Sequence, residues 1–239
     1  MADGFLSARL LRSRSLSEQT CHLEFEVEGA ARFDFVPGQF ISLVAEHDGR
    51  EITRAYSLAS APRGNRFDLC LNRVAHGFFS NYLCDLKEGG SIRFQGPLGF
   101  FTLRQPLRDS LFIATGTGIA PIRGMLEWLF AQGNDERHRC HEFWLVFGVR
   151  HRAGLYYHEE WEDLARSHPN FHYLPTLSRE SGEWTGLRGY VQEHARGLAA
   201  GHSDRQAYIC GLKAMVDANR TLLKELGWER KSIVYEKYD

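Results

Sequence analysis

Two hydrophobic rhythms divide the chain near residue 108. In the first half, apolar residues alternate with polar ones or form short β-forming runs: FLSARLLR, HLEFEVE, QFISLVAE, ITRAYSLAS, RFDLCLNRV and SIRFQG. The segments PGQ, HDGR, PRGN and EGG separate them. A period of two puts successive side chains on opposite faces of a sheet, and Gly, Pro, Asn and Asp supply the conformations that reverse the chain. Six short strands in about 100 residues predict a small barrel or sandwich. One short helix is expected at FFSNYLCDL, ahead of the EGG break.

The second half alternates strands with helices. LFIAT is a short apolar run, after which Ile122, Met125, Leu126, Leu129 and Phe130 recur at helical spacing in PIRGMLEWLFAQ. FWLVFGV reads as a strand, YYHEEWEDLARSH as a helix, FHYLPTLS as a strand and GYVQEHARGLAA as a helix. QAYICG is a strand, LKAMVDANRTLLKELG a helix and KSIVYEKY a last strand. Strands joined by such helices predict a parallel sheet covered on both faces. FTLRQPLRDS, with Pro106, reads as the linker. The expected fold is therefore two-domain: a small barrel or sandwich over residues 1–106, then an α/β parallel-sheet domain over residues 107–239.

Composition removes several function classes. The 239 residues suit one large domain or two ordinary ones. Lys+Arg 29 against Asp+Glu 30 leaves a formal charge of −1, so no basic excess exists for dedicated nucleic-acid binding. No run of about 18 apolar residues is present to span a membrane. The five cysteines are an odd number without close pairing, which argues against a secreted disulfide framework. Their spacing builds neither a zinc ribbon nor a plant-type iron–sulfur cluster. The eleven histidines show no metal-binding spacing, so no metal is expected. The Arg- and Ser-rich N-terminus runs directly into a strand pattern, and the expectation is a reducing cytoplasm. Glu159, Glu160, Glu162 and Asp163 read as a solvated helix face, and Arg137, His138, Arg139 and His141 as a small basic loop.

Three motifs carry chemistry. LFIATGTGIAPIRGMLEWL is strand, Gly-rich turn, helix. Gly116 and Gly118 let the backbone bend and approach a ligand, and the helix starting near Pro121 aims its unpaired amides at that turn, which suits a pyrophosphate. The alternative is a plain strand–helix turn, because Pro121 stands where G-x-G-x-x-G has its third glycine. The second motif is RAYSLAS, with Arg54 as a planar phosphate donor, Tyr56 as a stacking ring and Ser57 as a hydrogen-bonding hydroxyl. A half-exposed Arg beside a core Tyr in a barrel strand would read the same way. The third is NRVAHGFFSNYLCDL, where Gly77 to Ser80 open the helix of the first half as a second anion site, or Ser80 serves as an ordinary cap.

Taken in order, RAYS, G-x-x-S, GTGIAP and a late CG resemble the plant-type ferredoxin–NADP reductase superfamily over essentially the whole chain. GFFSNYLCDLKEG, GPLGFFTL, ICGLKAMVD and the terminal YEKYD resemble further landmarks of that family. The resemblance implies an antiparallel β-barrel that holds FAD, followed by an α/β parallel-sheet domain that holds a nicotinamide nucleotide. It implies flavin contacts at Arg54, Ala55, Tyr56 and Ser57, and a second flavin segment at Leu71, Asn72, Arg73 and Val74. It places the pyrophosphate at Gly77, Phe78, Phe79 and Ser80, Thr117 within reach of both cofactors, Cys210 beside the nicotinamide, and further cofactor contacts at Gly116, Gly118, Gly148, Arg150 and Gly211. Hydride transfer then requires the nicotinamide C4 to lie near the flavin N5. Cys210 would border the nicotinamide, acting by shape and polarisability. Glu236 and Tyr238 match the family's terminal Glu-x-aromatic, in which the aromatic covers a flavin face and competes with nicotinamide. Ser57, Cys210, Glu236 and Tyr238 are the expected catalytic set, and the extra residue Asp239 could restrict Tyr238.

Nucleotide choice rests on Ser178, Arg179, Arg188 and Tyr190, a pattern that favours NADPH over NADH through a 2′-phosphate. The W-x-G-x-x-G-Y-V pattern from Trp184 to Val191 also occurs in NADH-type reductases. The expected activity is electron exchange between NAD(P)H and ferredoxin or flavodoxin, by a monomer, with Arg63, Arg66 and Arg73 as candidate steering charges. An NADH-dependent reductase component of an oxygenase, or a flavin-binding subunit of a larger complex, are the alternatives.

Overall fold

In the computed structural model, which describes residues 4–131 and 138–238, the first-half strands form one antiparallel sheet. They are β1 (Leu6–Ser17), β2 (Thr20–Val27), β3 (Phe40–His47), β4 (Arg50–Ser57), β5 (Arg66–Asn72) and β6 (Ser91–Leu98). Their order is β4-β3-β6-β1-β2-β5. Just past β4, Leu58 bridges Leu69 of β5, and the Ala59 amide donates to the Asp68 carbonyl at 2.8 Å. The two outer strands thus meet and the sheet closes into a barrel. Alternation turns Leu23, Phe25, Phe67, Leu69 and Phe94 inward, where all are fully buried. The Phe25 and Phe67 rings stack at 5.5 Å and Phe94 meets Phe67 edge-on. Each such ring contributes roughly 1.5–3 kcal/mol by leaving water. Helix α1 (Phe78–Asp85) is the one expected before the EGG break.

The second half is a six-stranded sheet of order β10-β9-β8-β7-β11-β12, parallel throughout. Its strands are β7 (Ser110–Thr115), β8 (Phe143–Val149), β9 (Phe171–Leu177), β10 (Leu187–Arg188), β11 (Gln206–Leu212) and β12 (Ile233–Tyr238). The helices are α2 (Ile119–Leu129), α3 (His158–Ser167), α4 (Val191–Ala199) and α5 (Lys213–Glu225). The two-residue β10 is an addition to the expected elements; it is too short for periodicity to reveal. Sheet and helices enclose a core that includes Ile113, Val146, Ile209, Val216 and Leu223.

The chain packs as two compact units, Met1–Thr102 with Arg123–Trp128, and Leu103–Ile122 with Leu129–Asp239. The central part of α2 therefore belongs with the barrel. Gly124 shows why: a Cβ there would lie 2.6 Å from the Ser60 carbonyl oxygen. Beside it, Arg123 donates to the Ala59 carbonyl at 2.7 Å and to Asp68 at 3.2 Å, and Glu127 accepts the Ala61 amide. Two sequence features, Arg137 of the basic loop and Asp239, lie outside the described residues.

Candidate active site

In the barrel, β4 carries Arg54 and Ala55 exposed, Tyr56 half-buried and Ser57 buried. Tyr56 packs against the core, and its burial, opposed by the pull of Arg54, pushes its hydroxyl up to about 12. It stays neutral at physiological pH, presenting an uncharged ring beside a cation. Next in the chain, Leu71 turns its side chain into the core, so that only its main chain faces outward, and Asn72 accepts the Thr20 hydroxyl at 2.6 Å. Val74 is exposed.

The Gly77–Ser80 turn is fixed from within. Gly77 occupies the cap position of α1, and Ser80 is not a cap. The Ser80 hydroxyl instead accepts the Val74 amide at 3.1 Å and donates to the Gly77 carbonyl at 3.3 Å. Asn81 donates to the Val74 and Gly77 carbonyls at 3.0 and 2.6 Å. A Cβ on Gly77 would sit 2.7 Å from the Ser80 oxygen, so this clasp requires glycine. What remains is the first-turn amides of Phe78, Phe79 and Ser80, which have no partner inside the helix.

The candidate steering arginines are all paired. Arg73 binds the Asp85 carboxylate with both terminal nitrogens, at 2.6 and 3.1 Å, Arg63 binds Asp68 at 2.7 Å, and Arg66 approaches Glu26 at 3.4 Å. They form no unpaired basic face.

In the α/β unit the strand order runs outward from β7 in both directions, to β8 on one side and β11 on the other. Open α/β sheets bind ligands at the carboxyl ends of the strands beside such a switch point. The GTG segment, a 3-10 turn at Gly116–Gly118, follows β7 there, and Cys210 and Gly211 end β11 beside it. Gly116 bends the chain at φ +54° with open space around it. Gly118 has a different use from the expected ligand approach: a Cβ there would lie 2.3 Å from the Cys210 carbonyl oxygen. Gly211, at φ +144°, leaves room for Thr115, whose hydroxyl oxygen would lie 2.4 Å from a Cβ. That Thr115 oxygen is buried and has no hydrogen-bond partner among the described residues. A buried hydroxyl left unsatisfied beside a glycine at a strand end marks a place where a polar ligand group completes the structure. The pattern of the chain did not single out Thr115, because its signal is the absence of a partner in three dimensions.

The Cys210 thiol is completely buried. Burial, reinforced by the nearby Glu236 carboxylate and opposed by a hydrogen bond with Tyr238, holds it well above the ordinary thiol range. It is thus a neutral, polarisable contact. Glu236 pairs in register with Cys210, and Tyr238 with Leu212. Neighbouring residues anchor the strand: Lys237 reaches Asp217 of α5 at 2.7 Å, and Arg220 lies 3.7 Å over the Tyr235 ring.

Further along the sheet, Gly148 and Ser178 lie at the ends of β8 and β9. A Cβ on Gly148 would meet Val191 of α4 at 2.4 Å, so this glycine seats that helix. The Arg179 amide donates to the Arg150 carbonyl at 2.9 Å, which sets two exposed arginines side by side. Arg188 is otherwise employed, donating to the carbonyls of Glu180, Gly182 and Trp184 at 2.6, 3.0 and 3.4 Å and closing their loop. Tyr190 is exposed just before α4. No cluster of three metal-ligating side chains occurs among the described residues.

Residues 7–103 match the oxidoreductase FAD-binding domain and residues 112–221 the oxidoreductase NAD-binding domain. The chain is 42% identical to ferredoxin–NADP reductase B of Sorangium cellulosum, over 97% of both chains. It is 31% identical to the toluate 1,2-dioxygenase electron transfer component of Pseudomonas putida, over 97% of this chain and 67% of the relative. The fold matches a ferredoxin–NADP reductase from Neisseria gonorrhoeae, solved with bound FAD and NADP, with a TM-score of 0.83 at 20% identity, over 98% of this chain and 99% of that one. The chain belongs to the ferredoxin–NADP reductase superfamily and is an FAD- and NAD(P)-dependent oxidoreductase.

Proposed function

We propose that the protein passes electrons between NADPH and a one-electron carrier protein of the ferredoxin or flavodoxin kind by way of FAD. Residues 1–106 hold FAD and residues 107–239 hold the nicotinamide nucleotide. The residues fit both groups. The first-turn amides of α1 and the exposed Arg54 suit a diphosphate, and Tyr56 and Ser57 offer a neutral ring and a hydroxyl to a flat heterocycle. FAD bound there supplies the exchange between two-electron and one-electron transfer. Thr115 supplies an unsatisfied hydroxyl to the nicotinamide carboxamide, and Cys210 presents an uncharged sulfur that cannot divert the reaction by nucleophilic attack. Glu236 stands opposite Cys210 as the carboxylate for proton exchange, and Tyr238 covers the flavin ring until nicotinamide replaces it.

The observation that carries the choice of NADPH is the Arg150–Arg179 pair, two exposed guanidiniums joined through their backbones at adjacent strand ends. Two planar donor forks match a phosphate dianion. Ser178 and Tyr190 add hydroxyls, whereas Arg188 supports the site through its loop. The name of the Sorangium relative supports ferredoxin as acceptor. The Pseudomonas relative supports the second reading, an NADH-dependent reductase component of an oxygenase. Action as a monomer in the cytoplasm is part of the same proposal. No helix among the described residues is long and apolar enough to cross a membrane.

Stopped-flow reduction of the FAD-loaded protein by NADPH and by NADH, followed by cytochrome c reduction with and without ferredoxin, tests this reading. NADPH should reduce the flavin far faster, and ferredoxin should accelerate cytochrome c reduction. Faster reduction by NADH, with no response to ferredoxin, would transfer the protein to the oxygenase reading.

A further inference from the structure

The barrel holds a feature that electron transfer does not use. Cys21, in β2, and Cys84, in the last turn of α1, lie 63 positions apart in sequence, yet their sulfurs are 2.7 Å apart. Cys21 is nearly fully covered, whereas Cys84 is only half-buried, so Cys84 is the more exposed residue of the pair. A disulfide needs sulfurs at about 2.05 Å, and side-chain rotation alone can supply so small a closure. A third thiol, Cys70, is buried on β5. It follows Leu69, whereas Cys21 is in register with Leu71, so Cys70 faces away from Cys21.

The surroundings give the two sulfurs different roles. The hydrogen bond from Cys21 holds the Cys84 thiol below the ordinary range, with the Arg73 guanidinium acting in the same direction. The same bond, together with burial, raises Cys21. Thiolates are the reactive form, and accessible thiolates beside a resolving thiol are the ones that peroxides oxidise.

We propose that Cys21 and Cys84 are a peroxide-oxidised dithiol, with Cys84 the attacking and Cys21 the resolving sulfur. The Cys84 thiolate attacks one oxygen of hydrogen peroxide. The O–O bond breaks, the departing hydroxide takes up a proton as water, and Cys84 carries a sulfenic acid. The Cys21 sulfur then attacks Cys84. The S–O bond breaks, and the leaving hydroxide takes the Cys21 proton as a second water. Two thiols lose two electrons, and one peroxide gains them. The bond joins β2 to α1, the helix that opens at the Gly77–Ser80 turn.

The test is peptide mapping of the FAD-loaded protein after brief exposure to hydrogen peroxide and alkylation of the remaining thiols. The expected result is a pair of tryptic peptides, residues 15–32 and 74–87, linked and lighter by two hydrogen atoms, while Cys70 and Cys210 remain alkylated. Cys84→Ser should abolish the link. Cys21→Ser should leave Cys84 as a sulfenic acid that a dimedone probe captures. Because the wild-type protein alone reveals the link, a variant that folds poorly does not obscure the answer. Cys84 found alkylated, joined to Cys70, or oxidised to a sulfinic acid with no link to Cys21 would overturn the proposal.

Discussion

Gly118 and Cys210 occupy neighbouring strand ends so closely that a Cβ on the glycine would lie 2.3 Å from the cysteine's carbonyl oxygen. The turn after β7 is thereby pressed onto the end of β11, and the Thr115 hydroxyl and the buried Cys210 side chain are held at the switch point of the sheet. Gly118→Ala must push two backbones apart, and overpacking of this kind costs roughly 1–3 kcal/mol. Chemical denaturation should show that loss, and nucleotide affinity should fall with it. A variant as stable as the parent would mean that the turn has room to move.

Arg179→Ala and Arg150→Ala should each raise the Michaelis constant for NADPH far more than for NADH. A hydrogen bond to a charged group contributes roughly 1.5–3 kcal/mol, which corresponds to about ten- to a hundredfold. Arg188→Ala should instead weaken both nucleotides, because its guanidinium closes a loop through three carbonyls. Equal effects of Arg179→Ala on the two nucleotides would count against a 2′-phosphate at that strand end.

On the proposed role of Tyr238 as the residue that gives way to nicotinamide, Tyr238→Ala should tighten nicotinamide binding and alter discrimination between NADPH and NADH. Equilibrium titration with NADP+ and NAD+ measures this. Unchanged dissociation constants for both would show that Tyr238 does not cover the ring.

His22 should make the barrel sensitive to acid. Its imidazole is buried, and burial, aided by the Arg123, Arg14, Arg63 and Arg12 charges, lowers it to about 3. The folded state therefore holds a neutral histidine that the unfolded chain protonates near 6.5. Stability from this source is present above pH 6.5 and is lost as pH falls from there toward 3. Linkage gives a loss of about 2 kcal/mol between pH 7 and pH 5. Asp68, 3.6 Å away, is raised chiefly by burial, against Arg63 and Arg123, and so favours the fold on protonation, which offsets part of the loss. Denaturation midpoints of the parent and of His22→Gln at the two pH values separate the terms, and identical pH slopes would remove His22 from the account.

Much of this protein was legible in one dimension. Period-two alternation in HLEFEVE and RFDLCLN placed Leu23, Phe25, Phe67 and Leu69 on one face, because strand geometry is a local property. The same holds for the helical spacing of Ile122, Met125 and Leu126, and for the Gly-rich turn that ends a short apolar strand. What tertiary structure alone decided is which groups are spent on one another. Arg73 and Arg188 read as cations awaiting a ligand, yet one clasps Asp85 and the other closes a loop. Gly118 reads as a ligand approach, yet it admits a neighbouring strand. Gly124 falls within the helical spacing of α2 without distinguishing itself, yet a Cβ there would lie 2.6 Å from the Ser60 carbonyl oxygen. The Thr115 hydroxyl and the Cys21–Cys84 contact had no local sign at all. Partners far apart in sequence are brought together by the pairing of strands and the seating of helices, and no periodicity along a chain records that pairing.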